Sequence, residues 1–201
     1  MSRSEHPPCR VVLVRHASAA GQGRFLGQRD APLSALGRRQ VPALVEKLRA
    51  YPVEAIYCSD LSRTRTTAAA VARRRRISPE VRPQLREMDF GRWEGLSWDE
   101  VVERFPALAK RWVSGRSIVS VPGGEPMVRF KTRVTRELKR IVAAGPGRCV
   151  VVVTHAGVIR IALGAALGLD DRHLFRIAQP PCAVSVIDYF RGGAIVRCIN
   201  G

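Results

Sequence analysis

Two of the four histidines stand in matching places: His16 follows RVVLVR and His155 follows VVVVT, each just beyond the carboxyl end of an apolar run. In open α/β sheets that edge is where ligands bind. Arg15 directly precedes the first, whereas His6 and His173 lie in no comparable setting and read as surface residues. Ser59 opens the stretch SDLSRTRTTA, in which a strand end leads into a helix start, and free backbone N–H groups there favour an anion. Arg63, one turn in, adds a planar fork matching two phosphate oxygens, while Arg65 reads as solvated. The carboxylates of LREMDFGRWEG are Glu87, Asp89 and Glu94, and their spacing does not choose among them. These residue types can move a phosphoryl group with no metal or cofactor. A neutral imidazole attacks phosphorus, and guanidinium groups keep it neutral while offsetting phosphoryl charge. A carboxylic acid protonates the departing alcohol and then activates water.

Such residues need a frame. Arg10–Val14 and Cys149–Thr154 are continuous and β-branched, the pattern of interior strands covered on both faces, and Ala55–Cys58 is a shorter strand candidate. Helical patterns fill the intervals. Ser34 caps a segment reaching about Tyr51 that Pro42 should kink, and Ser62–Arg74 follows. Ser97–Phe105 carries a capping box with Glu100, Met127–Ala144 is a fourth helix, and Gly157–Leu167 is a fifth, ended by Gly168. Ala183–Phe190 and Ala194–Ile199 flank Gly192 and Gly193 and read as a hairpin. Arg111–Pro126, with three glycines and two prolines, reads as an irregular surface loop. Alternating strands and helices define an α/β domain, expected to be single and to span 1–201.

With 201 residues, 46% of them hydrophobic, the chain is long enough for a sizeable core, which excludes disordered and fibrous classes. Its five cysteines are scattered without a CxxC pair, so no zinc site or disulfide framework is legible. Residues 1–9 resemble no signal peptide and no run suits a membrane span, so a soluble cytoplasmic protein is expected. A formal net charge of +17 points to anionic partners. A nucleic-acid-binding protein is the rival from another class, supported by the RRRR run at 73–76. Dispersed arginines, 6% aromatic content and the absence of a recognition motif count against specific nucleic-acid binding.

The chain resembles the histidine phosphatase superfamily, also called phosphoglycerate mutase-like. The matching stretches are LVRH at 13–16, GRFLGQRDAPLSALG at 23–37, SDLSRTRTTA, LREMDFGRWEG, PGGE at 122–125 and VVVTHAGVIR at 151–160. The resemblance implies a three-layer α/β/α fold with a mixed, mostly parallel sheet. It implies that His16 becomes phosphohistidine, that Arg15, Arg63 and His155 clamp phosphoryl oxygens, and that Glu87 is the proton donor. Ser59, Ala156 and Gly157 would line the pocket. One departure stands out: RHASAAGQG replaces the usual RHGET and lacks the asparagine that follows, so Gln22 or Ser18 would have to substitute. The compact length, FGRWEGLSWDEV and PGGE resemble the branch that includes α-ribazole phosphatase. The expected function is hydrolysis of a small phosphorylated metabolite, with α-ribazole 5'-phosphate or a broad range as substrate. The alternatives are mutase-type transfer or a non-catalytic binding module, and exposed edges could pair two chains as a homodimer.

Overall fold

The computed structural model describes residues 7–114 and 120–201. Strands β1 (Cys9–Arg15), β2 (Val53–Cys58), β3 (Glu80–Val81), β4 (Cys149–Thr154), β5 (Val184–Phe190) and β6 (Gly193–Cys198) form one sheet in the order β3-β2-β4-β1-β5-β6. The four strands from β3 to β1 run parallel, and β5 and β6 add antiparallel. This is the mixed, mostly parallel arrangement expected. Successive valines of β4 serve opposite faces: Val151 and Val153 pack with one layer, Val150 and Val152 with the other. Helices α1 (Ala35–Lys47) and α2 (Ser62–Arg73) cover the first face through Leu44, Val45, Ala68 and Val71. Helices α5 (Met127–Ala144) and α6 (Ala156–Leu167) cover the second through Phe130, Val134, Leu138, Val158 and Ile159.

The chain leaves β1 toward α1 on one face and leaves the adjacent β4 into α6 on the other. Adjacent strands whose connections depart in opposite directions open a crevice at their carboxyl ends. Between α2 and α5 the chain builds a small aromatic cluster around Trp93, with α3 (Trp98–Arg104) and α4 (Pro106–Ser114) packed on it. Among the described residues, no helix is long and apolar enough to cross a membrane.

Several expectations need correction. α1 runs on through Pro42, which removes the partner of the Arg38 carbonyl, and both residues lie on the exposed side. Regular α-helix nevertheless stops at Lys47, and Leu48–Ala50 tightens into a 3-10 turn. Arg111–Ser114, expected in the loop, continues α4, which starts on Pro106 and buries Ala109. Of the rest of that loop, 115–119 lies outside the described residues and 120–126 is irregular. β3, only two residues long, had no hydropathy signal, and neither did the 3-10 segment Asp171–Arg176. His173 on that segment is partly exposed, and His6 lies outside the described residues.

The start of α1 is stapled to the chain that follows β1. Ser34 caps the helix by accepting from Gly37 N (3.0 Å), and its own N–H (2.9 Å) and hydroxyl (3.1 Å) both donate to Ser18 O. A Cβ on Gly37 would stand 1.9 Å from that same carbonyl oxygen. Alanine normally gains about 1 kcal/mol over glycine inside a helix. Here Gly37→Ala is expected to lower the melting temperature instead, by about 4–8 °C for a net loss of ~2 kcal/mol in a chain of this size. Thermal denaturation of the variant checks this.

Candidate active site

Strand register brings the two histidines together. β1 and β4 pair with Arg15 opposite Thr154, and His16 N donates to Thr154 O at 2.9 Å. The next residue on each strand is a histidine, so the two rings meet with centroids 5.1 Å apart, edge to face. Both are buried. His16 Nδ1 lies 2.8 Å from Ala17 O. A carbonyl can only accept, so Nδ1 carries the proton and Nε2 keeps its lone pair. Burial, joined by the charges of Arg63 and Arg15, pushes the His16 pKa down to about 3. The ring is therefore neutral at neutral pH with a free nucleophilic nitrogen.

Counting protons assigns the other ring. Thr64 Oγ1 donates to a carbonyl, with Leu61 O at 2.7 Å and Ser59 O at 3.0 Å in reach. Its single proton is thereby used, so at 2.7 Å it accepts from the Ser59 hydroxyl. Ser59 Oγ, its own proton committed, accepts from His155 Nε2 at 2.8 Å. The neutral His155 ring thus has a bare Nδ1, buried and without a partner. Burial first, then His16, Arg63, Arg15 and Arg133, hold its pKa well below 6.5.

The guanidinium groups are anchored by neutral acceptors. Arg63, 1% exposed in the first turn of α2, donates through Nη2 to Gly27 O (2.6 Å) and through Nη1 to Arg29 O (2.8 Å). Arg15 donates through Nη1 to Gln179 O. The Nε–H of each is buried and unpaired. Desolvation lowers both pKa values. Arg65, as expected, is exposed.

Geometry separates the three carboxylates. Glu94 accepts from Gln28 N (2.6 Å) and Phe90 N (3.3 Å), and Asp89 accepts from Gly91 N (2.8 Å), so both serve loop structure. Glu87 Oε1 accepts from Met88 N at 3.0 Å and Oε2 from Gly157 N at 3.1 Å, which sets its carboxyl group on the first turn of α6 just past His155. Arg133 on α5 grips the Glu87 carbonyl (2.8 Å) and forks onto the Glu125 carboxylate of PGGE (2.8 Å on each arm). A Cβ on Gly157 would lie 2.2 Å from Glu87 Oε1, so only glycine leaves that carboxyl its place.

His16, His155, Arg15, Arg63, Glu87, Ser59, Ala156 and Gly157 therefore meet at one crevice. Gln22 is exposed in the turn at 21–23. Ser18 is buried with an unpartnered hydroxyl, and its backbone N–H donates to Gln40 Oε1 at 3.0 Å. Sequence reasoning missed Thr64, Arg133 and Gln179. Only Thr64 carried a signal, as a small hydroxyl five residues beyond Ser59 on the same strand-to-helix turn.

A parallel-sheet crevice presenting paired imidazoles, buried guanidinium groups and one carboxyl is a frame for phosphoryl chemistry. The chain belongs to the histidine phosphatase superfamily (branch 1), whose family model matches residues 11–201. It is 35% identical over 197 residues to a bifunctional protein of Mycobacterium tuberculosis, covering 96% of this chain but 54% of that one, so it spans about half that relative's length. It is 32% identical over 180 residues to phosphoserine phosphatase 1 of Hydrogenobacter thermophilus, covering 89% and 85% of the two chains. The solved alpha-ribazole phosphatase of Shigella flexneri shares the fold, with a TM-score of 0.84 at 24% identity over 96% of each chain.

An anion whose oxygen sits at His155 Nδ1 needs a proton there, because Nε2–H is held by Ser59. Binding raises a pKa that starts well below 6.5, so a proton is taken up and affinity rises as pH falls. Calorimetry with sulfate, fully ionised throughout, is expected at pH 7 to show uptake of up to about one proton from the buffer dependence of the enthalpy. Binding without proton exchange would contradict the tautomer assignment.

Proposed function

We propose that this chain is a phosphomonoesterase working through a phosphohistidine at His16, without a metal. The observation that carries the reading is a hydrogen-bonding gap: Arg15 Nε, Arg63 Nε and His155 Nδ1 are buried and unpartnered around a neutral His16 ring. Buried polar groups are seldom left so unless a ligand completes them. A phosphoryl group, with two negative charges spread over three oxygens, completes them.

His16 Nε2 attacks phosphorus as the bond to the alcohol oxygen breaks, and Glu87 gives that oxygen its proton. Arg15, Arg63 and protonated His155 hold the three non-bridging oxygens and offset their charge. Glu87, now ionised, takes a proton from water, whose oxygen attacks phosphorus and breaks the P–N bond. Inorganic phosphate leaves, with His16 neutral and Glu87 protonated as before. Hydrolysis is favoured over mutase-type transfer because the stretch between Glu87 and His155 is compact, filled by α3, α4 and α5. The substrate is a small phosphorylated metabolite, and phosphoserine, phosphoglycerates and α-ribazole 5'-phosphate form the first panel.

Release of phosphate from an aryl phosphate in EDTA tests this. The parent chain should turn over, His16→Ala should lose about 10³-fold or more, and Glu87→Gln about 10²- to 10⁴-fold with poor leaving groups. A requirement for added metal, or turnover surviving in His16→Ala, would rule the mechanism out.

A further inference from the structure

Arg160 lies one turn into α6, and helical side chains tilt toward the helix start, so it extends over the turn where Gly157 holds the Glu87 carboxyl. It is close enough for its charge to act on both Arg15 and Glu87. Arg160 Nε donates to Ile177 O at 2.9 Å, and the guanidinium lies over the Phe175 ring at 5.5 Å. Phe175 in turn meets Trp112 with centroids 5.0 Å apart, so an aromatic wall backs the Arg160 guanidinium. Among the described residues its two terminal nitrogens have no protein acceptor, which leaves a bidentate edge free.

The segment 177–179 is fixed by three carbonyls in a row: Ile177 O takes Arg160, Ala178 O takes Asn200 Nδ2 at 2.5 Å, and Gln179 O takes Arg15. This rigid mount presents a Gln179 side chain that is 4% exposed, with both amide atoms buried and unpartnered. An amide with neither donor nor acceptor used is costly in a folded chain, and Gln179 is the residue whose carbonyl Arg15 grips, two residues beyond the Ile177 held by Arg160.

Charge points the same way. Arg86, Arg133 and Arg197 each have a carboxylate partner, whereas Arg15, Arg63 and Arg160 have no ion pair among the described residues. Together with the His155 imidazolium formed on binding, these three guanidinium groups carry more positive charge than a phosphoryl dianion offsets, which leaves charge for a further anionic group on the same substrate.

We propose that Arg160 and Gln179 form a second anion subsite beside the phosphoryl site, selecting phosphomonoesters whose alcohol portion carries a carboxylate. The proposal rests on the phosphomonoesterase reading and narrows its panel. Arg160 takes the carboxylate bidentately, the Gln179 amide donates to it, and the Phe175–Trp112 wall covers the carbon chain. α-Ribazole 5'-phosphate, which has no carboxylate, falls behind carboxylated esters.

Matched pairs test the subsite: phosphoserine against phosphoethanolamine, and 3-phosphoglycerate against glycerol phosphate. The parent chain should favour the carboxylated member of each pair in kcat/KM by about tenfold to a hundredfold, the worth of a charge-assisted pair. Arg160→Met should bring the ratio to near one, chiefly through KM, and Gln179→Met, which keeps the arginine, should reduce it in part. Equal handling of both members by the parent chain would overturn the subsite. So would a ratio that survives in both variants when circular dichroism shows them folded. If the parent chain turns over nothing, calorimetry on the same pairs still decides. Preferential binding of phosphoserine upholds the subsite while the hydrolytic reading fails, and equal binding or none overturns it.

Discussion

Everything at the crevice depends on the register between β1 and β4. Because Arg15 sits opposite Thr154, the first residue beyond each strand is a histidine, and the rings are brought into contact before any loop is specified. A slip of one residue would turn every valine of β4 to the wrong face, exchanging the sets that pack under α1 and α2 with those under α5 and α6. Two buried layers thus lock the relative position of two side chains. The opposite departures of the chain from these neighbouring strands leave the space in front of the rings open.

Electrostatics then follows from burial. Arg15 and Arg63 are desolvated and held by backbone carbonyls rather than carboxylates, so their charge stays available and acts on both imidazoles. The rings respond by staying neutral, one with Nε2 bare and the other with Nδ1 bare. The hydroxyl chain from Thr64 through Ser59 fixes the second choice, a link that depends on proton counting and not on charge. Stability and chemistry pull in opposite directions here, since unpaired buried donors weaken a fold while preparing it for an anion.

The strands, their interior position and the paired histidines were legible because continuous β-branched runs ended in the same residue type. Arg63 was legible because a strand-to-helix turn has a known affinity for anions. Glu87 was not separable from Asp89 and Glu94 by spacing; resemblance favoured it, and the contact that distinguishes it comes from Gly157, far away along the chain. Arg160 and Gln179 gave no local sign, since what marks them is an unused hydrogen-bonding capacity visible only once the neighbours are in place. α4 was hidden by the glycine and prolines that follow it. The excess of basic residues divides likewise, with Arg15 and Arg63 held at the crevice by backbone carbonyls and others, such as Arg10 and Arg197 on Asp188, serving as struts.

The central claim is that phosphoryl transfer passes through His16 Nε2, and the most direct measurement is to trap that bond. The chain would be mixed with a labelled phosphomonoester, quenched in alkali, in which a P–N bond survives, and digested for peptide mapping. The account predicts label on the peptide bearing His16, absent from His16→Ala. Label on the His155 peptide, or steady turnover with no labelled histidine at any time point, would contradict it.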